Sequence, residues 1–217
     1  LAIEKGTLAG MPALREAFAK AKGKRLHLLG LVSDGGVHSH QDHLVALAVA
    51  AKAAGVGDIL VHAITDGRDT SPTGGKDYLA HCEEKLAPTG ARIATVIGRY
   101  YAMDRDQRWE RNKLAWDAIV LGRGRDCSGK SPSGCVAEAY GAGETDEFLQ
   151  PMVFEAVDVP RIRDGDVVFW FNFRSDRARQ LSRAFLHADF DGFDREVTPA
   201  VEYLTLTEYD ETYGVPV

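Results

Sequence analysis

The chain has 217 residues, 45% of them hydrophobic, enough to supply the core of one large domain. Its net charge is -6, and no lysine or arginine block runs beyond a pair or a triad mixed with acids, which disfavours a nucleic-acid-binding face. No run of about 18 apolar residues is present to span a membrane, and no basic-then-apolar leader opens the chain, so the expected location is cytoplasmic. Three cysteines, Cys82, Cys127 and Cys135, form no C-x-x-C pair and read as reduced thiols, neither a disulfide framework nor a zinc knuckle. The chain opens on Leu1 and closes on the irregular EYDETYGVPV, which reads as part of something longer.

Met11, Leu14, Phe18 and Ala21 line up one helical face, with Gly23 as its stop. Leu26–Val32 predicts a strand, and Leu44, Leu47, Ala48 and Ala51 stripe a helix ending at Gly55. Ile59–Ile64 predicts the second strand, Lys76–Leu86 a helix closed by Pro88 and Gly90, and Arg92–Ile97 the third strand. A helix carrying Trp109, Leu114, Trp116 and Ile119 runs from Arg108 to Leu121. Gly124–Gly143, rich in Gly and Ser, reads as a softer region, followed by a short extended piece within Phe148–Phe154 and a charged link, Asp158–Asp164. Asp166–Phe171 is the most apolar strand, Leu181, Ala184 and Phe185 stripe one more helix, and Ala200–Leu206 gives a last strand.

Strands alternating with helices, rich in Val, Ile and Leu without polar alternation, predict one α/β domain over residues 1–217. It has a mainly parallel sheet and helices on both faces, a three-layer α/β/α arrangement. Ligands of such sheets bind outside the carboxyl ends of the strands. Four segments that follow strands hold the unusual residues: SDGGVHSH (Ser33–His40), TDGRDTSPTGG (Thr65–Gly75), GRYYAMDR (Gly98–Arg105) and NFRSDR (Asn172–Arg177).

Arginines at strand ends are candidates to converge on a small anion, because a guanidinium offers a planar fork of donors matching a carboxylate or phosphate. Gly35 and Gly36 allow a tight turn that sets His38 near the start of a helix, as an anion ligand or within a plain capping segment with Ser39 as N-cap. Arg68 and Asp69 stand side by side, and the arginine is expected to keep the aspartate ionised for acid/base work at a hydroxyl. Arg99 and Arg105 flank YYAMD in one loop, while Arg174 and Arg177 are expected on one face at the start of a helix.

Two other motifs point elsewhere. His38-Ser39-His40-Gln41-Asp42-His43 fits H-x-H-x-D-H, a zinc-ligand pattern of the metallo-β-lactamase superfamily, but His62, His81 and His187, the histidines left downstream, lie in predicted strands or helices. Gly124-Arg125-Asp126-Cys127-Ser128-Gly129-Lys130-Ser131 satisfies G-x-x-x-x-G-K-[ST], yet no strand is predicted before it, so it reads as a solvent loop.

Taken together, SDGGVHSH, DGRDTSPTGG, GRYYAMDRDQRWER and FNFRSDRARQL resemble the cofactor-independent (2,3-bisphosphoglycerate-independent) phosphoglycerate mutases, in the right order over almost the whole chain. The resemblance implies an isomerase of glycolysis and gluconeogenesis that interconverts 3-phosphoglycerate and 2-phosphoglycerate through a phosphoserine. It implies a phosphotransferase domain inserted into a phosphatase-like domain that carries two Mn²⁺ ions. His38, Arg68, Asp69, Arg99, Arg105, Arg174 and Arg177 match the residues that hold the phosphoglycerate. Asp69 is then the acid/base at the glycerate hydroxyls, and Arg174 and Arg177 face the phosphate. The family's stretches N-S-E-V-G-H and D-H-G-N do not occur. Its serine, metal ligands and phosphate-site lysine are therefore expected outside this chain, which binds no metal and does not turn over alone. The contrasting reading is a stand-alone anion-binding or regulatory module.

Overall fold

The computed structural model describes residues 8–217. Seven strands form one sheet: β1 (Arg25–Leu31), β2 (Asp58–Thr65), β3 (Arg92–Gly98), β4 (Arg125–Asp126), β5 (Met152–Val153), β6 (Val167–Trp170) and β7 (Glu202–Thr205). Their spatial order is β4-β5-β3-β2-β1-β6-β7, and every pairing is parallel except that of β3 with β5. The expected mainly parallel α/β sheet is what forms.

Burial on both faces explains the unbroken apolar runs. Leu26 and Leu28 of β1 pack with α1 (Pro12–Lys20), α2 (Gln41–Ala53) and α3 (Gly75–Leu86) through Phe18, Leu44 and Leu79. Leu29 and Leu31 point to the other face, toward Trp116 and Ile119, and toward Leu181 and Phe185 of the helix that follows β6. Two further helices precede that one, α4 (Arg99–Ala102) and α5 (Trp109–Trp116), the latter widening into a π-helical turn at Asp117–Leu121. The helix predicted as one stretch from Arg108 to Leu121 is thus α5 plus this turn.

The region read as soft is structured. It contains β4 and then α6 (Pro132–Gly141), which buries Cys135, Val136 and Ala139. Ser131 caps α6 by accepting from the Gly134 N–H, and Pro132 occupies the first turn, where its missing N–H costs nothing. The P-loop look-alike lacks a phosphate cradle: Lys130 pairs with Glu138, Ser131 is the cap, and Cys127 is buried. It is not a plain solvent loop either. The charged link Asp158–Asp164 likewise hides a buried arginine, Arg161, whose guanidinium donates to the Val159 and Ala156 carbonyls.

The last helix, α7 (Arg179–Leu186), starts later than expected, so Arg174 and Arg177 lie in the loop before it. The cause is a pair of hydrogen bonds: the N–H groups of Phe173 and Arg174 both donate to the His38 carbonyl and hold that stretch out of helical geometry. Similarly, the α2 cap is His40, whose Nδ1 accepts from the Asp42 N–H, and not Ser39, whose hydroxyl donates to the Leu31 carbonyl.

Within the sheet, His27, His62 and Thr95 sit on three adjacent strands and form a buried polar chain. His62 lies 2.9 Å from Thr95 Oγ1 and 3.0 Å from His27, whose Nε2 lies 3.3 Å from Asp166. One proton arrangement satisfies every contact with neutral rings: Thr95 donates to His62, His62 to His27, and His27 to the Asp166 carboxylate. Burial pushes the pKa of both histidines down.

The unfolded chain therefore takes up protons near pH 6.5 that the folded chain refuses, so stability is lost as pH falls below that value. Each buried histidine contributes a slope of up to about 1.4 kcal/mol per pH unit in that window. Urea unfolding midpoints compared at pH 7.5 and 5.5 are expected to show this loss, and the double variant His27→Asn/His62→Gln to lessen it. An equal loss in wild type and variant would refute the assignment.

Candidate functional site

In the strand order, β1 leads to β2 and β3 on one side while β6 leads to β7 on the other. The loops after β1 and β6 consequently diverge at neighbouring strands and leave a crevice at the carboxyl edge, the usual ligand position in such sheets. All four segments singled out in the sequence collect there.

Arg99, 3% exposed, is the centre of the cluster. It follows directly on β3, and its Nη1 donates at 2.6 Å both to Asp66 Oδ1 and to Asp69 Oδ2, while Nη2 donates to His38 Nε2 at 3.1 Å. One guanidinium therefore ties together the loops after β1, β2 and β3. Asp66 in turn shapes the DGRD loop: its Oδ1 accepts from the Arg68 and Asp69 N–H groups, and its Oδ2 from the Ser33 hydroxyl.

This geometry corrects one expectation. Asp69 is kept ionised by Arg99, not by its neighbour Arg68, whose Nη1 reaches Glu147 at 3.4 Å. Burial alone would raise the Asp69 pKa, but the Arg99 guanidinium outweighs it and holds the carboxyl below its ordinary range. His38 is 2% exposed, and burial first, then Arg99, push its pKa down to about 4. The ring is neutral at pH 7. Because its Nε2 accepts from Arg99, its proton sits on Nδ1, 3.7 Å from Asp176 Oδ1.

The remaining arginines are more accessible. Arg105 Nη1 donates to Asp176 Oδ2 at 3.1 Å, and Arg174 approaches the same carboxylate from the other side. Among the described residues, Arg177 donates only to the Met103 carbonyl, at 3.2 Å. Its pKa is lowered, by burial first and then by the nearby Arg99, Arg105 and Arg68. Burial and neighbouring cations thus act in the same direction on this guanidinium.

An open cleft of about 390 Å³ is lined by Arg68, Arg99, Arg105 and Arg177 among others. Arg108 and Arg111, which sequence reasoning did not single out, also face it. Arg111 stacks over the Tyr100 ring at 3.7 Å, a cation–π contact that fixes its plane. Asp104 organises this wall: buried, it accepts from the Asp106 and Arg108 N–H groups and from Gln180. Asp66, Asp104, Asp176 and Glu147 were equally missed. A signal for three of them lay in plain view, since each acid stands within two residues of an arginine in the DGRD, MDR and RSDR strings.

A strap from Asp146 to Leu149 closes one side. Gly67 and Gly98 permit its approach: a Cβ at Gly67, where φ is +70°, would lie 2.7 Å from the Glu147 nitrogen, and one at Gly98 would lie 2.5 Å from the Glu147 carbonyl oxygen. The Asp146 carboxylate anchors the strap by accepting from the Gly75 N–H at 2.7 Å and from the Tyr140 hydroxyl. Gly98→Ala is expected to cost ~1–3 kcal/mol, as overpacking does, measurable by urea unfolding, and to displace Glu147 from Arg68.

The four residues of the zinc pattern do not converge. His38 turns inward to Arg99, and His40 caps α2. The spacing D-x-x-x-H does occur three times, at Asp34–His38, Asp58–His62 and Asp77–His81, but Asp58 is bound to Arg25 and Arg92, His62 lies in the buried polar chain, and Asp77 pairs with Lys76. Among the described residues, no three His, Cys, Asp or Glu side chains are grouped to hold a metal ion.

A family model described as BPG-independent PGAM N-terminus (iPGM_N) matches residues 1–211. The 2,3-bisphosphoglycerate-independent phosphoglycerate mutase of Akkermansia muciniphila is 61% identical over 216 residues, covering 100% of this chain and 42% of that protein. The mutase of the same description from Nitratidesulfovibrio vulgaris is 51% identical over 223 residues, 100% of this chain and 43% of the relative. A crystal structure of Leishmania mexicana phosphoglycerate mutase at low cobalt concentration superposes with a TM-score of 0.88 at 35% identity, over 98% of this chain and 41% of that one. The chain thus belongs to the 2,3-bisphosphoglycerate-independent phosphoglycerate mutase family, and it spans less than half the length of these relatives.

Proposed function

We propose that this chain is the phosphoglycerate-holding part of a mutase that interconverts 3-phosphoglycerate and 2-phosphoglycerate, a cytoplasmic isomerase of glycolysis and gluconeogenesis. The observation that carries the reading is the cleft lining, where Arg177 stands with Arg68, Arg99, Arg105, Arg108 and Arg111 against the acids Asp104, Asp106 and Glu147. A phosphoglycerate offers a phosphate at one end and a carboxylate at the other, and each end suits a guanidinium fork.

In this reading Arg68, Arg105, Arg174 and Arg177 hold the ligand, and the buried Arg99 and His38 form the floor. Asp69, ionised and a quarter exposed, is placed to accept a proton from a glycerate hydroxyl and return it. His38 stays neutral and serves as a fixed hydrogen-bonding group. The phosphorylated serine, the two Mn²⁺ ions with their ligands, and the lysine at the phosphate belong to the remainder of the polypeptide. Metal ions would supply charge neutralisation at the phosphate there, and the residues of this chain do the binding and orientation.

Calorimetric titration of the chain with 3-phosphoglycerate tests the assignment. Arg177→Ala and Arg68→Ala each remove charge-assisted hydrogen bonds of ~1.5–3 kcal/mol, so each is expected to weaken binding by roughly 10- to 100-fold. Arg68 is 58% exposed, so its replacement should leave the unfolding midpoint in place. Undiminished binding in both variants would rule out the cleft. The purified chain with Mn²⁺ is expected to give no mutase turnover, and steady turnover would show that the nucleophile lies within these residues.

A further inference from the structure

Asp176 holds a position that the substrate's own oxyanion would be expected to occupy. Its Oδ2 accepts from Arg105 Nη1 at 3.1 Å and from Arg174 Nη2 at 3.2 Å, while its Oδ1 lies 2.9 Å from Arg174 Nε. Both oxygens thus lie along the two-nitrogen edge of Arg174, the edge by which a guanidinium grips carboxylates and phosphates. The third neighbour is His38, with Nδ1 3.7 Å away. All three of these neighbours are residues assigned above to the ligand.

The carboxylate is also imperfectly bonded. Asp176 Oδ1 is buried and lies within ion-pair distance of Arg174 Nε, yet makes no aligned hydrogen bond, and the buried His38 Nδ1 has no hydrogen-bond partner among the described residues. A buried donor left unused beside a poorly aligned acceptor signals an arrangement that a better-fitting group can replace at little cost. Without Asp176, Arg105 and Arg174 would lose the carboxylate they share, with the positive charge of Arg177 in the same cleft wall.

We infer that Asp176 is a placeholder anion: it occupies Arg105 and Arg174 while the cleft is empty, and an entering phosphoglycerate must exchange with it. The inference rests on the reading of the cleft as a phosphoglycerate site, and it adds a role for a residue outside the ligand-holding set. Its consequence is a lowered affinity for every anion that takes this place. A ligand with two anionic ends engages Arg68 and Arg177 as well and so still binds, whereas inorganic phosphate, with one anionic group, has only the vacated arginines to offset the exchange.

The test compares wild type with Asp176→Asn, an isosteric change that removes the charge, by calorimetric titration with inorganic phosphate and with 3-phosphoglycerate. Phosphate affinity is expected to rise on the order of tenfold in the variant, since each 1.4 kcal/mol of lost competition is tenfold. Affinity for 3-phosphoglycerate is expected to rise by a similar factor, since both ligands displace the same carboxylate. Unchanged or weaker phosphate binding in a folded variant would overturn the inference and assign Asp176 to holding the arginines in shape.

A wild-type chain that binds phosphate but not 3-phosphoglycerate would defeat the functional reading alone, and the phosphate comparison would still decide the role of Asp176. Should Asp176→Asn fail to fold, the wild-type Arg174 Nε–H signal decides by NMR. Saturation with phosphate is expected to move it, because its acceptor changes, and an unmoved signal refutes the exchange.

Discussion

The buried Arg99 guanidinium is the constraint on which the carboxyl edge of this protein depends. It sits one residue beyond β3 and is bound at once to Asp66, Asp69 and His38, so it ties three loops together. Taking a charge out of water is costly, and two carboxylates at 2.6 Å offset that cost. Removing one partner of such a buried pair typically destabilises by 3–5 kcal/mol, because the acids are left without compensation, to the order of magnitude. Arg99 therefore works as a structural post as much as a ligand group, and a ligand cannot draw it away.

That post divides the arginines by function. Arg68, Arg105 and Arg174 are about half exposed or more, on long stems, and their partners are single carboxylates at the cleft wall. Exposed ion pairs of this kind contribute up to about 1 kcal/mol, so exchanging them for a ligand is inexpensive. The polar chain buried within the sheet is built on the opposite principle. Thr95, His62, His27 and Asp166 satisfy one another in the core and leave nothing for a ligand, which is how buried polar groups serve the fold alone.

The strands and their order of appearance were legible because burial on both faces leaves unbroken runs such as Ile59–Ile64, and because ligand groups collect after strands in this class of sheet. What failed was local reasoning about polar side chains. Arg68 and Asp69 are neighbours in the chain, yet the acid pairs with Arg99, thirty positions away in the sequence, since the turn made around Asp66 sends adjacent side chains apart. Arg174 and Arg177 resembled a helix start, but hydrogen bonds to the His38 carbonyl from another loop delay the helix to Arg179. Helix α6 was hidden by its Gly and Ser content, although Ser131-Pro132 is a sound helix opening; composition outweighed the cap in the reading. Each error replaced a long-range contact with a near one.

The openness of the cleft sets how strongly these arginines can act. At about 4 Å two unit charges attract by about 1 kcal/mol in bulk water and by roughly 4 kcal/mol at the effective dielectric of a partly covered protein surface. The same Arg68, Arg105 and Arg174 therefore gain several-fold in strength when water is excluded, with no change in their positions. Arg177 already shows the beginning of this effect, since burial is the largest reason its pKa is lowered. A floor held rigid by Arg99 and walls of exposed arginines make a site whose geometry is set in advance and whose strength depends on what covers it. In the proposed reading the cover is the rest of the polypeptide, so tight capture and chemistry arise together, while the open cleft binds loosely enough to release its ligand.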